Sequence, residues 1–234
     1  AHGWITIDET KMSKSLGNVI APTDILKAFE LATPDALRYY MVTSAPFGRD
    51  GNYSDEDFKE KVNADLANNI GNLLNRTLNM LVKYFDGEIK PEFIKSDNEI
   101  AKAGDKAIED LKKCFDGYQV CEAANVIVEF ANTVNKYVAD TAPWSLAKEE
   151  KMTECGEVLY NVLEATRKIA VMLYPYCPNI SNEIFSQLSA EADVKFADVK
   201  NGELKAGKIT EKEKIHPVFP RMDSELAKDK KKAK

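Results

Sequence analysis

Hydrophobic and polar positions along the chain change period twice. Residues 3 to 7, Gly-Trp-Ile-Thr-Ile, alternate in the two-residue period of a strand, and a strand opening a chain is expected to pair with something upstream. From Thr23 the period lengthens: Ile25, Leu26 and Phe29 share a helical face, with Pro22 at the entry and Thr23 or Asp24 as cap. A second short helix opens at Pro34-Asp35 and carries Leu37, Tyr40 and Met41 on one side. Pro46-Phe47-Gly48 breaks it, and Asp50-Gly51-Asn52 reads as a turn. At Ser54 a cap and three acids begin a run of Phe58, Val62, Leu66, Ile70, Leu73 or Leu74, and Leu78, which predicts one long amphipathic helix ended by Asp86-Gly87.

Further helical patterns cover about 97–115, 118–138, 147–173 and 178–188, separated by Asp116-Gly117, Ala142-Pro143 and Pro175 or Pro178. Five successive helices predict an antiparallel bundle, so the fold class is mainly α with a short α/β opening. Beyond Ala192 the chain reads as irregular, with a turn at Asn201-Gly202 and an apolar strap, His216-Pro217-Val218-Phe219-Pro220, expected to pack on the body. The division expected is 1–53, 54–220 and a charged tail, 221–234, whose last residues, Lys228 to Lys234, carry the composition of a disordered segment.

Composition narrows the function classes. The 234 residues are 44% hydrophobic and 30% charged, which excludes a disordered or fibrous chain. A formal charge of −6 excludes a global basic field, so DNA is not an expected partner and any RNA contact must be local and shaped. Apolar runs such as Ile169 to Leu173 fall far short of the roughly 20 residues that span a bilayer, and no secretory segment opens the chain, so a cytoplasmic protein without a membrane partner is expected. Cysteines 114, 121, 155 and 177 form no CxxC pair and have only His2 and His216 beside them, which predicts reduced thiols and no metal site.

Two stretches carry chemistry. Lys11-Met12-Ser13-Lys14-Ser15, followed by Leu16-Gly17-Asn18, offers two ammonium groups, two hydroxyls and a permissive glycine between strand and helix. Lysines neutralise phosphate, and hydroxyl and backbone N–H groups hydrogen-bond its oxygens, so a polyanion is the ligand this loop suits. The long helix holds Asn63, Asn68, Asn69, Asn72, Asn75 and Asn79, although asparagine is a poor helix former. Asn68, Asn72 and Arg76 step by four along one face, where amides and a guanidinium could read unstacked bases or hydrogen-bond between helices. Trp144, just after Pro143, could stack on a base or fill the core.

These motifs resemble a known family. KMSKS is the signature loop of class I aminoacyl-tRNA synthetases, and HGW, KMSKSLGN, DALRYYMV, PFGRDGNYS, NNIGNLLNR and NKYVADTAPW together resemble methionyl-tRNA synthetase across nearly the whole chain. The resemblance implies that residues 1–53 end a catalytic domain and 54–220 form the anticodon-binding bundle of a methionine–tRNA ligase. It implies Lys14 and Lys11 as catalytic lysines, and Lys11, Met12, Ser13, Lys14 and Ser15 as the ATP contact, with Mg2+ accompanying ATP in the intact enzyme. It implies Asn72, Arg76 and Trp144 as contacts to the CAU anticodon of methionine tRNA, with Pro143 shaping the turn and Asn75 and Asp140 in support. His2 and Trp4 match strand residues preceding the loop. Arg49 lies in the stretch resembling the stem-contact fold, where it orients the tRNA stem or the loop merely sets an interdomain angle. A fragment of another class I synthetase (leucine, valine, isoleucine or cysteine) and a stand-alone tRNA-binding helical module are the alternatives.

The family's HIGH signature, methionine pocket and zinc knuckle are expected to lie outside this sequence, on a missing N-terminal catalytic half, and a chain opening without Met fits part of a longer protein. The Lys-rich end could link to a further domain, tether RNA or simply be solvated. Because transition-state stabilisation needs all its groups in one geometry, this chain alone is expected not to catalyse methionine-dependent ATP–pyrophosphate exchange. Exchange near the rate of an intact enzyme contradicts that expectation.

Overall fold

The computed structural model describes residues 3–7, 9–29, 32–46, 48–95, 97–192, 199 and 202–222. His2, Asn201 and the expected tail from 223 onward lie outside them. The first strand, β1 (Ile5–Ile7), is paired on both edges, antiparallel to β2 (Thr10–Lys11) and parallel to β3 (Gly51–Tyr53). Its partners therefore lie downstream, not upstream, and the expected turn at Asp50-Gly51-Asn52 is largely strand. Asn52 explains the change: its Oδ1 accepts from Thr6 Oγ1 at 2.9 Å and from the Glu9 N–H at 2.8 Å, so a turn-forming residue type here braces a sheet.

Helices α1 (Pro22–Ala28) and α2 (Pro34–Thr43) each begin with proline, whose missing N–H costs nothing at a helix start. In α1 neither Thr23 nor Asp24 is the cap; Ala21 precedes the helix and Asp24 reaches back to the Ala21 N–H at 3.4 Å. Phe29, Tyr40, Tyr53 and Phe58 meet edge to face, with centroids 5.1–5.7 Å apart in three pairs, and weld these helices and the sheet to the next element.

The rod that follows is not one α-helix. It comprises α3 (Asp55–Lys61), capped by Ser54 Oγ, a π-helical stretch (Val62–Gly71) and α4 (Asn72–Phe85). The wider π turns coincide with two side chains that bind outside the rod. Asn63 exchanges hydrogen bonds with the Met222 backbone at 3.0 and 2.8 Å, and Asn69 reaches a neighbouring helix described below. Asp86 and Gly87, both at positive φ, end the rod as expected. Only glycine fits at 87, because a Cβ there would lie 2.0 Å from the Thr210 carbonyl oxygen.

Helices α5 (Glu99–Asp116), α6 (Val120–Thr141), α7 (Pro143–Lys148), α8 (Met152–Leu173) and α9 (Pro178–Gln187) complete a mainly α fold. The pattern expected from 147 splits, since Ala142 and Glu150 adopt left-handed backbone and set α7 apart from α6 and α8. The strap packs on the body through buried Val218 and Phe219, Met222 is buried as well although it falls within the expected tail, and β4 (Glu88–Ile89) pairs with β5 (Gly207–Lys208). None of the helices among the described residues is long and apolar enough to cross a membrane.

Helix α2 joins the loop-bearing sheet to the bundle by gripping both sides of the α8–α9 turn. Asp35, 1% exposed, accepts from the Ile180 N–H at 2.9 Å and from Asn179 Nδ2 at 3.1 Å, at the positive end of α9. Arg38 donates to the Tyr176 and Pro175 carbonyls at 3.3 and 3.1 Å, just beyond the end of α8. Asp35→Ala leaves those donors unsatisfied and is expected to cost about 1.5–3 kcal/mol, read as a fall of roughly 4–10 °C in the unfolding midpoint by calorimetry.

Candidate functional site

The KMSKS loop leaves β2 and turns back through a single 3-10 turn (Lys14–Leu16) that Gly17 closes at φ +67°. Asn18 folds over it. Its Oδ1 accepts from the Ser13 N–H at 2.8 Å and its Nδ2 donates to the Lys11 carbonyl at 3.2 Å, so one amide bridges the two ends of the motif. Ser13 and Ser15 hydroxyls share a hydrogen bond at 2.7 Å. The two lysines differ: Lys11 Nζ sits 4.6 Å from the centroid of the Trp4 ring, whereas Lys14 is on the exposed turn. Trp4 is 66% exposed, so its ring lies on the surface of the sheet and not in a core. Its backbone is pinned by Asp50 Oδ1 at 2.7 Å and by the Gly51 N–H at 2.9 Å. Arg49 is exposed beside it.

In the bundle the asparagines divide by face. Asn69 Nδ2 donates to Asn132 Oδ1 at 2.8 Å, and Asn69 Oδ1 accepts from Asn135 Nδ2 at 2.6 Å, so this residue does the interhelical bonding. Asn68, Asn72 and Arg76 form an exposed row on the same rod. Asn75 accepts from Asn79 through both its carbonyl and its Oδ1, at 2.7 and 3.0 Å. Sequence spacing separated the row from the apolar face but missed which asparagines α6 would cover.

The packing brings Trp144 to the same end as that row. The rod and α6 run in parallel: Cys121 near the start of α6 feels the charge of Lys61, and Asn132 and Asn135 meet Asn69. At the far end the Phe85 and Phe93 rings lie 4.8 Å apart and Phe93 fills the space over Gly156, while the Cys155 thiol donates to the Pro143 carbonyl at 3.3 Å. Asn72 and Arg76 thus continue toward the end where α7 begins. Pro143 is buried, and Trp144 is 38% exposed, so the indole is not a core residue. Asp140 is also exposed.

Buried titratable groups of the body serve as hydrogen-bond donors. Burial pushes the Cys155 thiol up to about 11, which keeps it protonated as the donor to Pro143. Burial also raises the Tyr39 phenol, and Asp65 raises it further by its charge and by accepting the phenol's hydrogen bond at 3.0 Å. No group of three His, Cys, Asp or Glu side chains able to hold a metal occurs among the described residues.

The KMSKS loop thus lies at one end and an exposed amide, guanidinium and indole surface at the other. The chain belongs to the family described as the anticodon-binding domain of tRNA ligases, which it matches over residues 97–233. Residues 1–78 match the class I tRNA synthetases (M). The chain is 40% identical over 96% of its length to the methionine–tRNA ligase of Listeria monocytogenes and 39% identical over 99% to that of Thermotoga maritima. It spans about a third of those relatives, 34% and 36% of their lengths. Among solved structures it is similar to Mycobacterium tuberculosis methionyl-tRNA synthetase in complex with methionyl-adenylate, with a TM-score of 0.82, 32% identity, and coverage of 94% of this chain and 43% of that one.

Two asparagines three positions apart should respond differently. Asn69→Ala is expected to destabilise the chain by about 1–2 kcal/mol in urea unfolding, since it strips partners from Asn132 and Asn135, while Asn72→Ala stays within about 0.5 kcal/mol.

Proposed function

We propose that this chain supplies the anticodon-reading bundle and the KMSKS loop of a methionine–tRNA ligase acting in the cytoplasm, with residues 1–53 as the edge of its catalytic domain and 54–220 as the bundle. The observation that carries the reading is the exposed Asn68-Asn72-Arg76 row directed toward the end of the bundle where Trp144 stands out from α7. Asn72 and Arg76 offer paired donors and acceptors to base edges, and Trp144 offers a ring on which an unstacked anticodon base can lie. Buried Pro143 holds that ring at the start of α7. This mode of recognition needs few charges, which suits a chain of net charge −6.

The loop supports the second part of the reading. In the activation step the methionine carboxylate attacks the α-phosphorus of ATP and pyrophosphate departs. Lys14 and Lys11 would stabilise the charge growing on the leaving oxygens, with Ser13, Ser15 and the backbone of Met12 holding the phosphates. The solved relative holding methionyl-adenylate is consistent with this chemistry. The ammonium and hydroxyl groups of the loop suit phosphate oxygens rather than a divalent cation, so no residue here is assigned to Mg2+.

A CAU anticodon stands apart from scrambled triplets only if bases are read individually. Trp144→Ala and Arg76→Ala are each expected to weaken binding to an initiator-type methionine tRNA by about 1–3 kcal/mol, while circular dichroism and the unfolding midpoint stay near those of the parent chain. Unchanged affinity in both variants removes these residues from the site.

A further inference from the structure

Trp4 and Asn18 have no assigned part in the phosphate chemistry, yet between them they hold Lys11 at both its ends. The ammonium rests over the Trp4 ring at 4.6 Å, and the carbonyl accepts from Asn18 Nδ2 at 3.2 Å. Trp4 is itself fixed through its backbone to Asp50 and to Gly51, the first residue of the strand that pairs with β1. The other arm of Asn18 takes the Ser13 N–H at 2.8 Å. Lys14, between them, lies on the exposed 3-10 turn. The same loop thus presents one lysine outward and stores the other on an aromatic face.

Building on the phosphate reading of the loop, we infer that Trp4 and Asn18 are positioning residues with opposite effects: Trp4 withholds the Lys11 ammonium until a polyphosphate competes for it, and Asn18 keeps the loop folded so that the lysines and serines meet that anion together. The chemistry favours such a hand-over. A cation over an exposed ring is held weakly, while a polyphosphate offers several anionic oxygens at once, and Lys14 can make the first contact before Lys11 leaves the ring. Asn18 acts without touching the ligand. Its two hydrogen bonds close the loop on itself before binding, which lowers the ordering cost of assembling Lys11, Ser13 and Lys14 around an anion. Gly17 permits the closure, since a backbone at φ +67° is one that glycine adopts without strain.

The probe is inorganic tripolyphosphate, titrated into the full chain carrying Trp144→Phe so that Trp4 is the only indole, with affinity measured in parallel by calorimetry. Saturable binding is expected to change the Trp4 emission, and Lys11→Met is expected to abolish that change. Trp4→Leu should tighten binding about two- to fivefold by releasing Lys11, and Trp4→Phe, which keeps a ring, should return affinity toward the parent value. Asn18→Ala should weaken binding about three- to tenfold. A purely structural role would move both variants in the same direction. Binding with silent Trp4 emission, or a Trp4→Leu chain that binds no tighter, overturns the storage role of Trp4. Unaltered affinity in Asn18→Ala overturns the positioning role of Asn18. Calorimetry that finds no tripolyphosphate binding by the parent chain overturns the phosphate reading of the loop, and this inference with it.

Discussion

Helix α8 is buried on nearly every side, yet it carries Asn161, Glu164, Arg167 and Lys168 in the interior. A buried charge or amide must be met, and the way these are met sets where the neighbours lie. Lys168, 1% exposed, binds Asp105 of α5 at 2.6 Å. Asn161 donates to Tyr137 of α6 and accepts from Asn98, the cap of α5. Glu164 accepts from the Leu204 N–H and pairs with Arg167, which also binds Glu203. Such pairs add little net stability against an apolar core, but each missing partner would be costly, so together they permit one arrangement of α5, α6 and the segment from 202.

That arrangement makes α8 a spacer. Its 22 residues span about 33 Å. Near its end Arg38 and Asp35 of α2 fasten the turn into α9, and with it the sheet from which the KMSKS loop hangs. At its start Cys155 holds Pro143, beside Trp144. The candidate phosphate loop and the candidate base-reading surface are thereby kept at opposite ends of one packed body. The DALRYYMV stretch is part of this linkage: Asp35, Arg38 and Tyr39 all bind across it to α9, to the end of α8 or to the π-helical stretch.

Much of this fold was legible because local signals coincide with global ones. Ser54 capping a helix, Asp86-Gly87 ending one, the breaks at 117 and 142, and the apolar strap all follow from residue types with strong backbone preferences. The misreadings share a cause, which is that tertiary partners override local preference. Asn52 looks like a turn residue and braces a sheet. The stretch from Val62 to Gly71 has ordinary helical spacing and winds as a π-helix where Asn63 and Asn69 hold other segments. Asn69 and Asn72 are the same residue on the same rod, and only the position of α6 makes one structural and leaves the other exposed. The KMSKS lysines were legible from composition and motif, but their unequal settings were not, because the Trp4 ring reaches Lys11 across a hairpin.

In the proposed function the bundle reads individual anticodon bases through a few side chains rather than attracting RNA by charge. The most direct test is binding of the parent chain to two stem-loops that differ only in the triplet, one with CAU and one scrambled, measured by calorimetry at physiological salt. A preference for CAU of at least tenfold that persists as salt is raised is the predicted result. Equal affinities that fall together with salt would contradict it.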